Sequence, residues 1–204
     1  MKNKIVRLIT ALLLLVGAMV AAPVFAEDSL EYATKPNKGL NAVQHKQLDV
    51  LFDSLRKSKS EIEALGHEQE IWRIWTAPKN EVLKKLMDTA FSQIESQEFI
   101  SCIKTLDTVV KRFPKYAEGW NQRAIVHYQL KNFDKSLKDI DKVLKLEPRH
   151  FGAYSGRSMI HFSRGDNKLA TKDILKAMRY HPYLRSRSLL LQIPQETEED
   201  ISFI

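Results

Sequence analysis

The chain has 204 residues, 44% hydrophobic and 28% charged, with a formal net charge of +7. That balance excludes a disordered polyelectrolyte and is enough for one domain with a real core. Seven Gly and seven Pro are few for this length, which argues against a turn-rich β-sandwich and for helices.

Residues 1–26 read as an export signal. Lys2, Lys4 and Arg7 precede an apolar run over 8–22, and Val24 and Ala26 stand before the acidic Glu27 and Asp28. Positive start, short apolar stretch and small residues before a cut are the marks of a secretory leader. The run is shorter than the roughly 20 residues that cross a bilayer. The expectation is cleavage after Ala26, export to a bacterial periplasm and no stable membrane span afterwards; the alternative is inner-membrane anchoring by an uncleaved leader. No Cys lies near the cut to carry a lipid. Cleavage removes three of the 32 cations, leaving 29 against 25 acids and a net of +4. Nucleic acid is therefore not an expected partner. Cys102 is the sole Cys, so no internal disulfide forms, and a lone thiol in an oxidising compartment belongs in the interior.

Residues 27–45 lack a clean period and contain Pro36 and Gly39, a flexible lead-in. An N-terminal helical hairpin is expected over 46–77. Leu48, Leu51, Phe52 and Leu55 share one helical stripe, and Ser60 with Glu63 resembles a capping box. The second helix carries Ile62, Leu65, Ile71, Trp72 and Trp75 and stops before Pro78. The hairpin is expected to cover the start of a larger helical stack. Asn80 reads as the next N-cap.

From Leu83 the plan repeats. Pro114, Pro148 and Pro182 are 34 residues apart, and three units fit without gaps: 83–116, 117–150 and 151–184. A fixed period of this size marks a solenoid. A large residue early in each first helix is Leu86, Trp120 and Tyr154. Small residues recur as Ala90, Ala124 and Ser158 in the first helices, and as Cys102, Ser136 and Ala170 in the second. Helices that cross closely need small side chains where their axes meet, so these pairs should face one another. The aliphatics Leu106, Ile140 and Ile174 follow, then Val109, Val143 and Ala177.

On these residues the chain resembles the tetratricopeptide repeat family. The resemblance implies an all-α, right-handed α-solenoid of helix pairs, here with the N-terminal hairpin and a capping helix and acidic tail over 185–204. Arg123 stands where the family usually has Leu, and His127 and His161 where it usually has Tyr. The first unit lacks the early aromatic and is expected to pack less well unless Trp72 or Trp75 fills the space. Only the third unit has Gly in its internal turn, at Gly165.

In this family the first helices line a concave groove that binds peptides or helices. Carried over, the partner-binding groove consists of Met87, Phe91, Asn121, Ile125, Tyr128, Ser155, Met159 and Phe162. Residues 186–193 either cap only the last unit and leave a groove open, or cover it. Family members that grip a chaperone's C-terminal carboxylate use a clamp of Lys, Asn and Arg. Those positions hold Met87, Phe91, Gln122, Gly152 and Gly156 here, so that ligand is not expected. Arg149 and His150, in the turn beside Glu147, form a partner-contact patch or a local ion pair that fixes the turn.

No catalytic set, metal site or cofactor motif is read from the chain. Cys102 sits at a packing position, and two equivalent histidines without further ligands are too few for a metal. Asp134, Asp139 and Asp141 read as a solvated helix face, and the acidic run 196–200 as a solvated tail. The expected function is non-enzymatic: an interaction module of the bacterial envelope that docks a peptide or helix of a protein partner. The alternative is a structural adaptor or self-associating subunit, a homo-oligomer using the same apolar faces.

Overall fold

A computed structural model describes residues 40–194; the leader, most of the lead-in and the acidic tail lie outside the described residues. Helices α1 (Ala42–Lys57) and α2 (Glu61–Thr76) form the hairpin. The repeats follow as α3 (Glu81–Glu95) with α4 (Phe99–Arg112), α5 (Ala117–Gln129) with α6 (Phe133–Leu146), and α7 (Phe151–Ser163) with α8 (Asn167–Tyr180). A short 3-10 helix, Arg185–Leu191, packs against α8. No strand occurs among the described residues.

Local chemistry sets the helix ends. Asn41 and Gln44 cap α1 reciprocally, each side chain accepting the other's backbone N–H at 2.9 and 3.0 Å. Ser60 Oγ accepts the Glu63 N–H at 3.2 Å, and Asn80 Oδ1 that of Leu83 at 3.0 Å. The turns inside the three repeats share one left-handed residue, at Gln97 (φ 58°), Lys131 (φ 60°) and Gly165 (φ 81°). The next residue's N–H in each case reaches a carbonyl five residues back: Glu98 to Gln93, Asn132 to His127 and Asp166 to His161, at 2.8–2.9 Å.

The paired small residues meet as the period demands. Ser136 Oγ donates to the Ala124 carbonyl at 2.8 Å, Ser158 Oγ to that of Ala170 at 2.7 Å, and Cys102 Sγ to that of Ala90 at 3.5 Å. All six residues are buried. The small side chain lets the helices approach, and its hydroxyl or thiol binds a carbonyl across the crossing. Successive units then close on each other through Gly119 and Val126 of α5, and through Ala153 and Ile160 of α7, again 34 residues apart. A Cβ on Gly119 would sit 2.6 Å from Val109 Cγ1, so this close approach requires glycine.

The hairpin does not cover the start of the stack, and Trp72 and Trp75 do not fill the space beside Leu86. It lies along the turns that join one repeat to the next. Tyr116, His150 and Leu184, spaced by 34, are all buried in those turns. Tyr116 Oη donates to the Trp75 carbonyl at 2.7 Å. The Trp75 ring stacks on His150, centroids 4.1 Å apart and 5° from parallel. Leu184 joins Phe52, Leu55, Ile71 and Trp75 in one core with Phe151 and Tyr154. The reason lies in what each edge offers. On α3 the positions equivalent to Gly119 and Val126 are Lys85 and Ser92, both exposed, so the first unit ends in a polar face. The aromatic turns supply the apolar surface that Phe52, Trp72 and Trp75 need.

Candidate functional site

The expected groove divides into a closed end and an open remainder. At the closed end Glu118, Asn121, Gln122 and His150 form a buried polar cluster. The Glu118 carboxylate accepts from Gln122 Nε2 at 2.6 Å and from Asn121 Nδ2 at 3.2 Å. His150 Nε2 lies 3.2 Å from Glu118 Oε2, while its Nδ1 accepts the Ala153 N–H at 3.1 Å as the cap of α7. An Nδ1 that accepts carries no proton, so the Nε2 proton is the one donated to Glu118. Beside this cluster, burial first and Glu118 second push the Tyr116 hydroxyl well above the usual tyrosine range. Trp72 covers Gly152, with ring atoms about 3 Å from where a Cβ would stand: 2.9 and 3.1 Å. The hairpin therefore shuts this end of the groove.

The eight carried-over groove residues split accordingly. Met87 is fully buried in the first unit's core with Leu83, Leu106 and Val109, which removes it from any accessible surface. Asn121 is buried as a donor to Glu118. Ser155 is buried, its Oγ 2.8 Å from Ser186 Oγ, and Met159 and Phe162 pack against Leu189 and Ile193. Residues 186–193 thus cover the third unit. Phe91, Ile125 and Tyr128 stay partly exposed on α3 and α5, the residues of the expected groove that the chain leaves open.

The turn residues Arg149 and His150 are not a free patch. Arg149 grips Glu147 Oε1 at 2.9 Å and Asp49 Oδ1 at 2.5 Å, and its guanidinium lies 4.6 Å above the Phe52 ring. His150 is completely buried. Both hold the hairpin to the second and third units. Of the three aspartates read as solvated, Asp134 and Asp141 are exposed and Asp139 is 4% exposed. Asp139 takes two bonds from Arg123, of 2.8 and 2.7 Å, and the same arrangement joins Arg157 to Asp173 at 2.7 and 2.8 Å. Each arginine also reaches back one unit, Arg123 to Asp107 at 2.7 Å and Arg157 to Asp141 at 3.0 Å. The bonds to Asp139 and Asp173 raise both guanidinium pKa values. This ladder went unrecognised in the sequence although its signal was present: all three members recur at the repeat period.

Burial lowers the His127 pKa, and His161 lies 3.7 Å from Asp166 and 3.8 Å from Asp173. Among the described residues no group of three or more His, Cys, Asp or Glu side chains is placed to hold a metal. Burial pushes the Cys102 thiol up to about 11, which makes it a poor nucleophile.

Comparison with known proteins places this geometry. The tetratricopeptide repeat model matches residues 117–150. A TPR repeat-containing protein of Rhizobium etli is 30% identical over 128 residues, 63% of this chain and 63% of its own. The chain thus matches less than two thirds of that relative's length. Among solved structures, the first TPR of Spaghetti bound to an HSP90 peptide superposes with a TM-score of 0.52 at 18% identity, covering 54% of this chain and 87% of that one. The TPR2AB domain of yeast Sti1 in complex with HSP90 gives 0.50 at 16% identity, covering 74% and 60%. With three in-register helix pairs closing on paired small residues, the chain has a tetratricopeptide-repeat-type helical fold, and its residues 117–150 match the repeat itself.

Proposed function

We propose that the chain is a non-enzymatic protein-interaction module of the bacterial envelope, which docks a peptide or helix of a protein partner on the open part of its concave face. The observation that carries this reading is the exposure of Phe91, Ile125 and Tyr128 on successive first helices, while the rest of the groove is covered by the chain itself. Partly exposed aromatic and aliphatic side chains on one surface are what a partner can bury. The fold neighbours were solved with HSP90 peptides, which supports a peptide-binding role in outline. The positions of a carboxylate clamp hold Met87, Phe91, Gln122, Gly152 and Gly156, so recognition here rests on apolar contact. Export follows from the leader pattern of residues 1–26. The test is affinity capture from an envelope extract by the native chain and by an Ile125→Glu chain. The expected result is one protein recovered by the native chain and depleted about tenfold by the variant. Equal recovery by both chains contradicts the reading.

Exposed Val82 and Ile100 on the first unit favour a second reading, self-association. Native mass spectrometry separates the two, since a stable dimer lost on Ile100→Glu supports self-association and a monomer excludes it.

A further inference from the structure

The ion ladder ends in an unexpected way. Arg123 pairs with Asp107 and Arg157 with Asp141. Continuing the register by 34 residues, the next rung would join positions 175 and 191. Both are leucines, 49% and 90% exposed. Without an arginine at 191 an aspartate at 175 has no partner, but that does not account for an exposed leucine there, because water favours a polar side chain.

The surroundings of these leucines are cationic. Lys172, Leu175, Lys176 and Arg179 follow an i, i+3, i+4, i+7 pattern that puts them on one side of α8, and all are exposed, Lys176 Nζ lying 5.2 Å from the Tyr154 ring. Leu169, 46% exposed, borders them. The equivalent faces of α4 and α6 are mixed in sign, carrying Asp107 on one and Asp134 and Asp141 on the other. On α8 the acid Asp173 turns inward to Arg157, and Asp166 stands at the helix start. Across the cleft beside Leu169 and Lys172, Asp141 is bonded to Arg157. The third unit has thus exchanged outward acids for leucine among lysine and arginine.

We propose that this outward face of α8 is a docking surface for an anionic lipid membrane. Cations draw it to acidic headgroups, and protruding leucines enter the boundary below them. Leu175, Lys176 and Arg179 lie on the part of the helix face outside the cleft at Leu169 and Lys172, so they suit a flat partner better than an extended peptide. This surface is separate from Phe91, Ile125 and Tyr128 and does not depend on what they bind.

The full chain is tested with a photoreactive residue at position 175, and in a second variant at the sibling position 141. Vesicles are equal parts phosphatidylglycerol and phosphatidylethanolamine, or phosphatidylcholine alone. The expected result is lipid adducts at 175, at least about tenfold over 141, with the anionic vesicles only. The adducts should fall by a similar factor in high salt or when Lys172, Lys176 and Arg179 become glutamate. Comparing two positions in one chain isolates this face from any lipid contact made by the leader. Equal labelling at 175 and 141, no lipid adduct at 175, or adducts to residues 195–204 of the chain itself would each overturn the proposal.

Discussion

Arg123 holds Asp139 through two parallel hydrogen bonds, Nε to Oδ2 at 2.8 Å and Nη2 to Oδ1 at 2.7 Å, across the two helices of one repeat. The carboxylate is almost fully buried and the guanidinium mostly so, with side-chain exposures of 6% and 17%. Removing Asp139 leaves the buried guanidinium with only the exposed Asp107 as a charge partner, and removing Arg123 leaves the Asp139 carboxylate buried and unmatched. Asp139→Ala is expected to destabilise the fold by about 3 kcal/mol. Replacing both, as Arg123→Leu with Asp139→Leu, is expected to recover more than half of that loss, because an apolar pair needs no desolvation of charge. Denaturant unfolding of Arg123→Leu, Asp139→Leu and the double variant measures the coupling.

The ladder also shows what was legible in the sequence. Helix pairs, small-residue crossings and turns at Pro114, Pro148 and Pro182 follow from period and side-chain size, which are local properties. Asp139 was misread because a charge run resembles a solvated face unless its partner, 16 residues back on another helix, is also considered. The hairpin's place was misread for a similar reason. Its apolar stripe showed that it must pack, but not where; that depended on Lys85 and Ser92 making one edge polar and on Tyr116, His150 and Leu184 making another apolar. The groove residues divided because Trp72 and residues 186–193 return to them from distant parts of the chain.

The left-handed turn residues offer a gain in stability. Lys131 and Gln97 adopt φ of 60° and 58°, a conformation costing an L-residue roughly 1–2 kcal/mol. Gly165 occupies the equivalent place in the third unit without that penalty. Lys131→Gly is expected to stabilise the protein by about 0.5–1 kcal/mol, less than the full strain because glycine is freer when unfolded. A thermal melt showing no gain or a loss would contradict this account of the turn.

Trp75 anchors the hairpin through its stack on His150 and its carbonyl bond from Tyr116. Trp75→Ala is expected to cost about 3–5 kcal/mol and to act locally. Hydrogen exchange should quicken over α1 and α2 and at residues 116, 150 and 151, with the crossing of α3 and α4 still protected. A uniform rise across all helices would show that hairpin and repeats unfold as one.

Cys102 is sealed at the first crossing, its thiol raised to about 11 by burial. Thiol-specific reagents at neutral pH should leave it unlabelled in the native protein and label it fully once urea unfolds the chain. Rapid native labelling would mean that α3 and α4 do not close on each other as Ala90 and Cys102 require.

A photoreactive residue at position 128, compared with one at 138 on the exposed face of α6, tests the interaction role most directly. Cross-linking the full chain in an envelope extract should yield one discrete protein adduct from 128 that is missing from 138 and is suppressed by Ile125→Glu in the same chain. The same adducts from both positions, or none from 128, would contradict a docking surface on this side of the repeats.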